Sequence, residues 1–223
     1  MKLTNNQKFV KITNQVQNLE ERFLDFETGS SSPSLVSNLE RELWLYDEVS
    51  PTSVFDTIQA IREINKEDDR RDKELSNELD VSVSLPRKPI KLFINTPGGS
   101  VLDGFTLISI IKTSKTPVYT YGIGLVQSMG IPLLASGHKR FVYSNTRLML
   151  HSVATFQEGT LETLRVSVKE TEDIQKTLDL FIVNNSKITE EQLQKISTQN
   201  TDYYFDSTKA LELGIVDEVI TYV

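Results

Sequence analysis

Residues 89–114, PIKLFINTPGGSVLDGFTLISIIKTS, decide the fold. Ile90 to Ile94 form a short apolar run with β-branched residues, which predicts a buried strand. The run stops at Pro97-Gly98-Gly99-Ser100, a turn by composition. Beyond it Val101, Phe105, Ile108 and Ile111 recur at spacings of three and four, so the segment returns as a helix with its apolar face on a sheet. Strand, tight turn and helix in succession predict an α/β protein.

The same alternation extends in both directions. ERELWLYDEV, from Glu40, reads as a first strand, and SVFDTIQAIREI places Val54, Ile58 and Ile61 at helical spacing. Downstream, PVYTYGIG reads as a strand and SMGIPLLASG as a short buried helix closed by Gly137. RFVYSN and RLMLHS read as a hairpin. A long helix is expected over 160–186, through Leu161, Leu164, Val168, Ile174, Leu178, Phe181 and Ile182. Thr189-Glu190-Glu191-Gln192 has the form of a capping box, and the chain closes with a helix, Gly214 and a strand. One folded domain is expected over 39–223. A polar arm over 1–38, broken by Gly29-Ser30-Ser31-Ser32-Pro33-Ser34, precedes it. A charged insertion over 66–88 interrupts it, read as a solvated helix end and loop or as a docking surface.

Composition narrows the function. With 24 Lys+Arg against 31 Asp+Glu the 223 residues carry a net charge of −7 and contain no cysteine. A chain of this length buries enough surface to fold without staples. The missing thiols exclude cysteine nucleophiles and zinc–thiolate centres. An acidic balance argues against nucleic acid, whose backbone is met by clustered Lys and Arg. No apolar run approaches the roughly 18 residues of a membrane span, and the N-terminus has no signal-peptide core. A cytoplasmic protein with no nucleic-acid or membrane partner is the expectation.

A hydrolytic site on such a scaffold needs a nucleophile on a sharp turn, a base to take its proton and donors aimed at the developing oxyanion. Ser128 stands where a strand gives way to a helix; it is either an N-cap or a nucleophile near free backbone N–H groups. The chain has two histidines. His151 ends the apolar strand RLMLH, either satisfied by backbone or facing a cleft as a base, while His138 sits in a turn beside Lys139 and Arg140. Asp202 precedes an aromatic stretch and could orient an imidazole, whereas Asp206 suits the cap of the last helix. The two glycines at 98–99 permit positive φ and close backbone approach, as a plain turn or as an N–H donor loop. A phosphate loop fails on spacing, since no G-x-x-x-x-G-K-[ST] follows.

Four segments in order, FINTPGGSVLDGF, GLVQSMGIPLLASG, KRFVYSNTRLMLH and DYYFDSTKALELGIVDEV, resemble the Clp protease proteolytic-subunit family of serine peptidases. The resemblance runs from about Glu40 to Val219. It implies a crotonase-like spiral of β-β-α units with a protruding handle helix at 160–186. It implies a triad of Ser128, His151 and Asp202, an oxyanion hole from the N–H groups of Gly99 and Met129, and a peptide groove between Ser100–Val101 and Ser152-Val153-Ala154. It further implies a polypeptide substrate, no metal or other cofactor, a homo-oligomer of heptameric rings stacked as a tetradecamer, and an AAA+ unfoldase as partner. The chain departs from the family after His151, where Ser152 to Gly159 replace Gln-Pro and a glycine-rich strand, and at Val126-Gln127, where the family has small residues. Alternatives of related architecture are a virus-type capsid or assembly maturation protease, a catalytically silent ring scaffold and a crotonase-type acyl-CoA enzyme. A Ser–Lys peptidase using Lys139 is a further one.

Overall fold

The computed structural model describes residues 41–198 and 202–222; the expected arm over 1–38 lies outside them. Two compact units divide the chain, Glu40–Lys66 with Arg87–Val223, and a smaller one containing Glu67–Pro86. In chain order the elements are β1 (Glu42–Tyr46), α1 (Pro51–Leu79), β2 (Ile90–Thr96), α2 (Val101–Thr113), β3 (Val118–Gln127), α3 (Gly130–Ala135), β4 (Lys139–Tyr143), β5 (Arg147–Leu150), α4 (Leu161–Asn184), α5 (Glu190–Thr198), β6 (Tyr203–Phe205), α6 (Ser207–Glu212) and β7 (Glu218–Ile220).

The larger unit is α/β with a mostly parallel sheet. Strands run β1-β2-β3-β4-β7 in parallel, with β5 parallel to β3 and antiparallel to β6. Ile90, Leu92, Ile94, Val118, Val126, Val142 and Leu148 turn to a core closed by Leu107 and Ile111 of α2 and by Ile131, Leu133 and Leu134 of α3, all essentially inaccessible. Each such side chain contributes about 1.5–3 kcal/mol on burial. Side chains alternate across a strand, so the intervening residues Trp44, Phe93, Tyr121 and Phe141, aligned in register on β1 to β4, stack on the other face with centroids 4.5, 4.9 and 4.7 Å apart.

The expected hairpin of RFVYSN and RLMLHS is not formed. Both strands pair in parallel with β3, β4 along Tyr119–Gly122 and β5 along Leu125–Gln127. The cause lies in β3, where Gly124 takes φ +64° and the register with β2 shifts between Ile94 and Thr96. This kink lets one long strand serve two neighbours in turn. Thr146 Oγ1 donates to the Gly122 carbonyl at 3.1 Å and fixes the step between them.

Over residues 66–88 the expected helix end and loop divide at Leu79, where α1 stops. Mixed charge here is helix support: Arg70 pairs with Glu67 and Glu74, one turn away on either side. After Asp80, at φ +53°, the chain folds back within the smaller unit. The Val83 N–H donates to Ser76 Oγ and the Leu85 N–H to Asp72 Oδ1.

The other sequence signals reappear in the larger unit. In the capping box Thr189 N–H donates to Gln192 Oε1 and Gln192 N–H to Thr189 Oγ1. Asp206 caps α6 through the Lys209 N–H. Arg140 binds the Asp217 carboxylate and the carbonyls of Asn185 and Gly214, tying β4 to the ends of α4 and α6. No helix of the described residues is long and apolar enough to cross a membrane.

Candidate active site

Ser128 directly follows β3 and has φ +51°, a left-handed conformation that costs a side-chain-bearing residue about 1–3 kcal/mol. It is not the N-cap of α3, a position held by Met129 without a side-chain cap bond. The strain is held by its surroundings. Ser128 N–H donates to the Met149 carbonyl at 2.9 Å, and the Ile131 N–H donates back to the Ser128 carbonyl. The hydroxyl is thereby turned out of the sheet toward the next strand end.

That strand end carries His151. β5 lies beside the last residues of β3, with Gln127 opposite Met149, so the residues just beyond both strands meet. His151 Nε2 is 2.7 Å from Ser128 Oγ. A hydroxyl held this way can pass its proton to the ring as the oxygen attacks a carbonyl.

The glycine turn closes the other side. Gly98 and Gly99 have φ +105° and +142°. The Gly98 N–H donates to buried Thr96 Oγ1, the Gly98 carbonyl accepts from Val49 N–H, and Ser100 N–H donates to the Val49 carbonyl. The N–H groups of Gly99 and Met129 find no acceptor among the described residues. Two free amides on the turns flanking Ser128 are the kind of donor an oxyanion needs. Met129 is itself locked: its side chain is 1% exposed and packs so tightly on Gly104 of α2 that a Cβ there would fall 2.4 Å from Cε.

Asp202 is arranged differently. β6 runs antiparallel to β5 with Leu150 opposite Tyr203, and the same register one residue further sets Asp202 across from His151. Its carboxylate is exposed and accepts from the Tyr204 hydroxyl at 3.3 Å, with no hydrogen bond to the imidazole. Of the other candidates, His138 uses Nδ1 on the Val118 N–H, and the Lys139 ammonium lies over the Tyr119 ring.

Ser100 and Val101 face Val153 and Ala154 across a cavity of about 410 Å³. Its third side is α4, through Val166, Glu170 and Ile174, a contribution absent from the sequence reading. Their spacing of four residues is the signal that would have found them. Gln175, which accepts the Val153 N–H, was also missed, while Gly98, already placed in the close-approach turn, makes room for Ser128 by its missing side chain.

Fold and site together are those of an α/β protein with a serine–imidazole pair at the carboxyl ends of parallel strands. The sequence model of the Clp protease family matches residues 56–223. Among relatives, an "ATP-dependent Clp protease proteolytic subunit 2" of Treponema pallidum is 32% identical over 136 residues, 60% of this chain and 67% of that protein. A protein of the same name from Corynebacterium efficiens is 33% identical over 157 residues, 67% of this chain and 78% of its own length. A "proteolytic subunit 1" of Corynebacterium jeikeium is 33% identical over 157 residues, covering 67% and 82%. The chain belongs to the Clp protease family, and with it to the serine-type peptidases.

Proposed function

We propose that this chain is a serine endopeptidase in which Ser128 is the nucleophile, His151 the general base and Asp202 the acid that orients the imidazole. The observation that carries the reading is the 2.7 Å contact of Ser128 Oγ with His151 Nε2, flanked by two amides that have no acceptor among the described residues. An extended peptide lies between Ser100–Val101 and Ser152–Ala154, held by main-chain hydrogen bonds. Ser128 attacks the scissile carbonyl while His151 takes its proton. The N–H groups of Gly99 and Met129 bind the oxyanion, and His151 returns the proton to the leaving amine. Water, activated by the same imidazole, then releases the acyl group. Asp202 reaches His151 by turning its carboxylate from the Tyr204 hydroxyl.

The same reading makes the chain one subunit of a ring assembly, of seven members in each of two stacked rings, to which an ATP-consuming unfoldase delivers unfolded polypeptide in the cytoplasm. It is supported by the relatives' printed names, "ATP-dependent" and "proteolytic subunit", and by the exposed apolar residues of the long helix, Leu161, Val166 and Val168. The test is reaction of the full-length protein with a fluorophosphonate, mapped by mass spectrometry, together with cleavage of an internally quenched peptide and native mass measurement. The expected result is modification of Ser128 in a large assembly, with labelling and cleavage both lost in Ser128→Ala. Cleavage that survives Ser128→Ala, or an unlabelled monomer, would overturn it.

A further inference from the structure

The groove wall that follows His151 has no helix or strand of its own across residues 151–158, yet it sets where a substrate backbone lies relative to the imidazole. One side chain ties it down. The Val153 N–H donates to Oε1 of Gln175 on α4 at 2.6 Å, and Gln175 Nε2 donates to Asp179 Oδ1, one turn further along the helix, at 2.8 Å. Asp179 in its ionised form only accepts, so it fixes which end of the Gln175 amide faces the wall.

We infer that Gln175, oriented by Asp179, is a positioning residue for peptide cleavage: it sets the phase in which the wall beside His151 offers its backbone to a substrate strand. This rests on the peptidase reading above. In a chain that pairs as a strand, successive residues direct their backbone groups to opposite sides. A substrate-paired wall with the Val153 N–H turned onto α4 directs the N–H and carbonyl of Ala154 away from the helix. They carry no partner among the described residues, and Ala154 lines the 410 Å³ cavity. A slip of one residue would offer Val153 instead and shift the scissile carbonyl relative to Ser128. Gln175 therefore acts on substrate placement and leaves the Ser128–His151 pair alone. Burial, reinforced by the nearby Glu190, pushes the Asp179 carboxyl above its ordinary value, while the bond from Gln175 opposes that shift. The amide and the acid are thus mutually dependent.

The test reverses the donor and acceptor. In Gln175→Glu two carboxylates oppose each other at positions 175 and 179, so the new side chain swings off Asp179 and the Val153 N–H loses its acceptor. In the double variant Gln175→Glu with Asp179→Asn, the amide introduced at position 179 donates to one oxygen of the new carboxylate while the other accepts from Val153. Full-length proteins are compared by steady-state cleavage of a quenched peptide and by the rate at which a small fluorophosphonate, which does not use the wall, modifies Ser128. We expect kcat/KM for the peptide to fall about tenfold in Gln175→Glu, mainly through KM, and to return to within about threefold of the wild type in the double variant. Fluorophosphonate rates should stay within about twofold throughout. An unchanged KM in Gln175→Glu, or no recovery in the double variant, overturns the inference. A fluorophosphonate rate that falls in step with peptide cleavage overturns it too, since the substitution would then act on the nucleophile. A wild-type protein that is never labelled at Ser128 strikes instead at the peptidase reading.

Discussion

Replacing Gly98 by alanine puts a methyl group 2.5 Å from Cβ of Ser128 and 3.0 Å from its Oγ. Ordinary contact begins near 3.4 Å, so the turn and Ser128 must part by about 1 Å. Neither yields easily. Ser128 is held from behind by the Met149 carbonyl at φ +51°, and the Gly98 carbonyl is fixed by Val49 N–H at 2.7 Å. The alanine must also adopt φ +105°, which costs about 1–3 kcal/mol. Displacement by about 1 Å breaks the 2.7 Å approach of Oγ to His151 and re-aims the Gly99 amide; errors of that size typically cost about 10² in rate. We expect Gly98→Ala to fold, to lose about 1–3 kcal/mol in urea unfolding, and to react with a fluorophosphonate about 10²-fold more slowly. Gly214→Ala is the control, at φ +67° with Lys187 Cγ at 2.8 Å and the Lys187 backbone N at 3.1 Å; it carries comparable backbone strain away from Ser128 and should keep the wild-type rate. A folded Gly98→Ala protein that reacts within threefold of wild type would refute the geometry.

The left-handed φ of Ser128 predicts a trade between stability and activity: Ser128→Gly and Ser128→Ala should both be inactive, with the glycine variant more stable by about 1 kcal/mol in thermal unfolding. The Arg140 guanidinium holds the Asp217 carboxyl below its ordinary 3.8. That pairing stabilises the fold above the unfolded-state value and is lost as pH falls through the lowered one. Asp217→Asn should therefore cost roughly 0.5–1 kcal/mol near neutrality, a modest figure for a half-exposed pair, and nothing at a pH low enough to protonate Asp217. Arg140→Met should cost more, roughly 2–3 kcal/mol, because two backbone carbonyls also lose a charged donor; denaturant titrations across pH separate the two effects.

The strand–turn–helix at 89–114 was legible because each half obeys a single local rule, an apolar β-branched run and then a three-and-four repeat. The capping residues Thr189 and Asp206 were legible for the same reason, as each acts within one turn of its own chain. The pairing partners of RFVYSN and RLMLHS were not, since both strands lie along β3 and the step depends on the kink at Gly124. Charge density over 66–88 left the point where helix gives way to loop open; the i,i+3 and i,i+4 pairs of Arg70 carry the helix on to Leu79. Ser128 and His151 stood out by type and position, but their 2.7 Å meeting is a property of β3 and β5 ending side by side. Gln175 carried no signal at all, because a glutamine on a polar helix is ordinary until a backbone N–H from a distant segment arrives on it.

For Asp202, the proposed acid, register and side-chain placement must be weighed separately. Continuing the β5–β6 pairing from Leu148–Phe205 through Leu150–Tyr203 brings Asp202 opposite His151, while Asp206 falls opposite Arg147, four residues from the imidazole. Of the two, Asp202 is the one the continued register sets opposite the imidazole, and Asp206 is already occupied by the Lys209 N–H. The Tyr204 hydroxyl that Asp202 accepts in this structure is a weak competitor, at 3.3 Å and open to water. A carboxylate turned to the imidazole instead fixes its tautomer and stabilises the cation formed during attack, and an asparagine does neither. Asp202→Asn should therefore lower kcat for peptide cleavage by about 10³–10⁴ with little change in melting temperature, while Asp206→Asn, a cap for a cap, should leave kcat within a few-fold. Tyr204→Phe, which removes the competitor, should raise kcat by no more than about twofold. An Asp202→Asn enzyme within tenfold of the wild type would mean that His151 is oriented by some other group, and the register would then be a coincidence of sheet pairing.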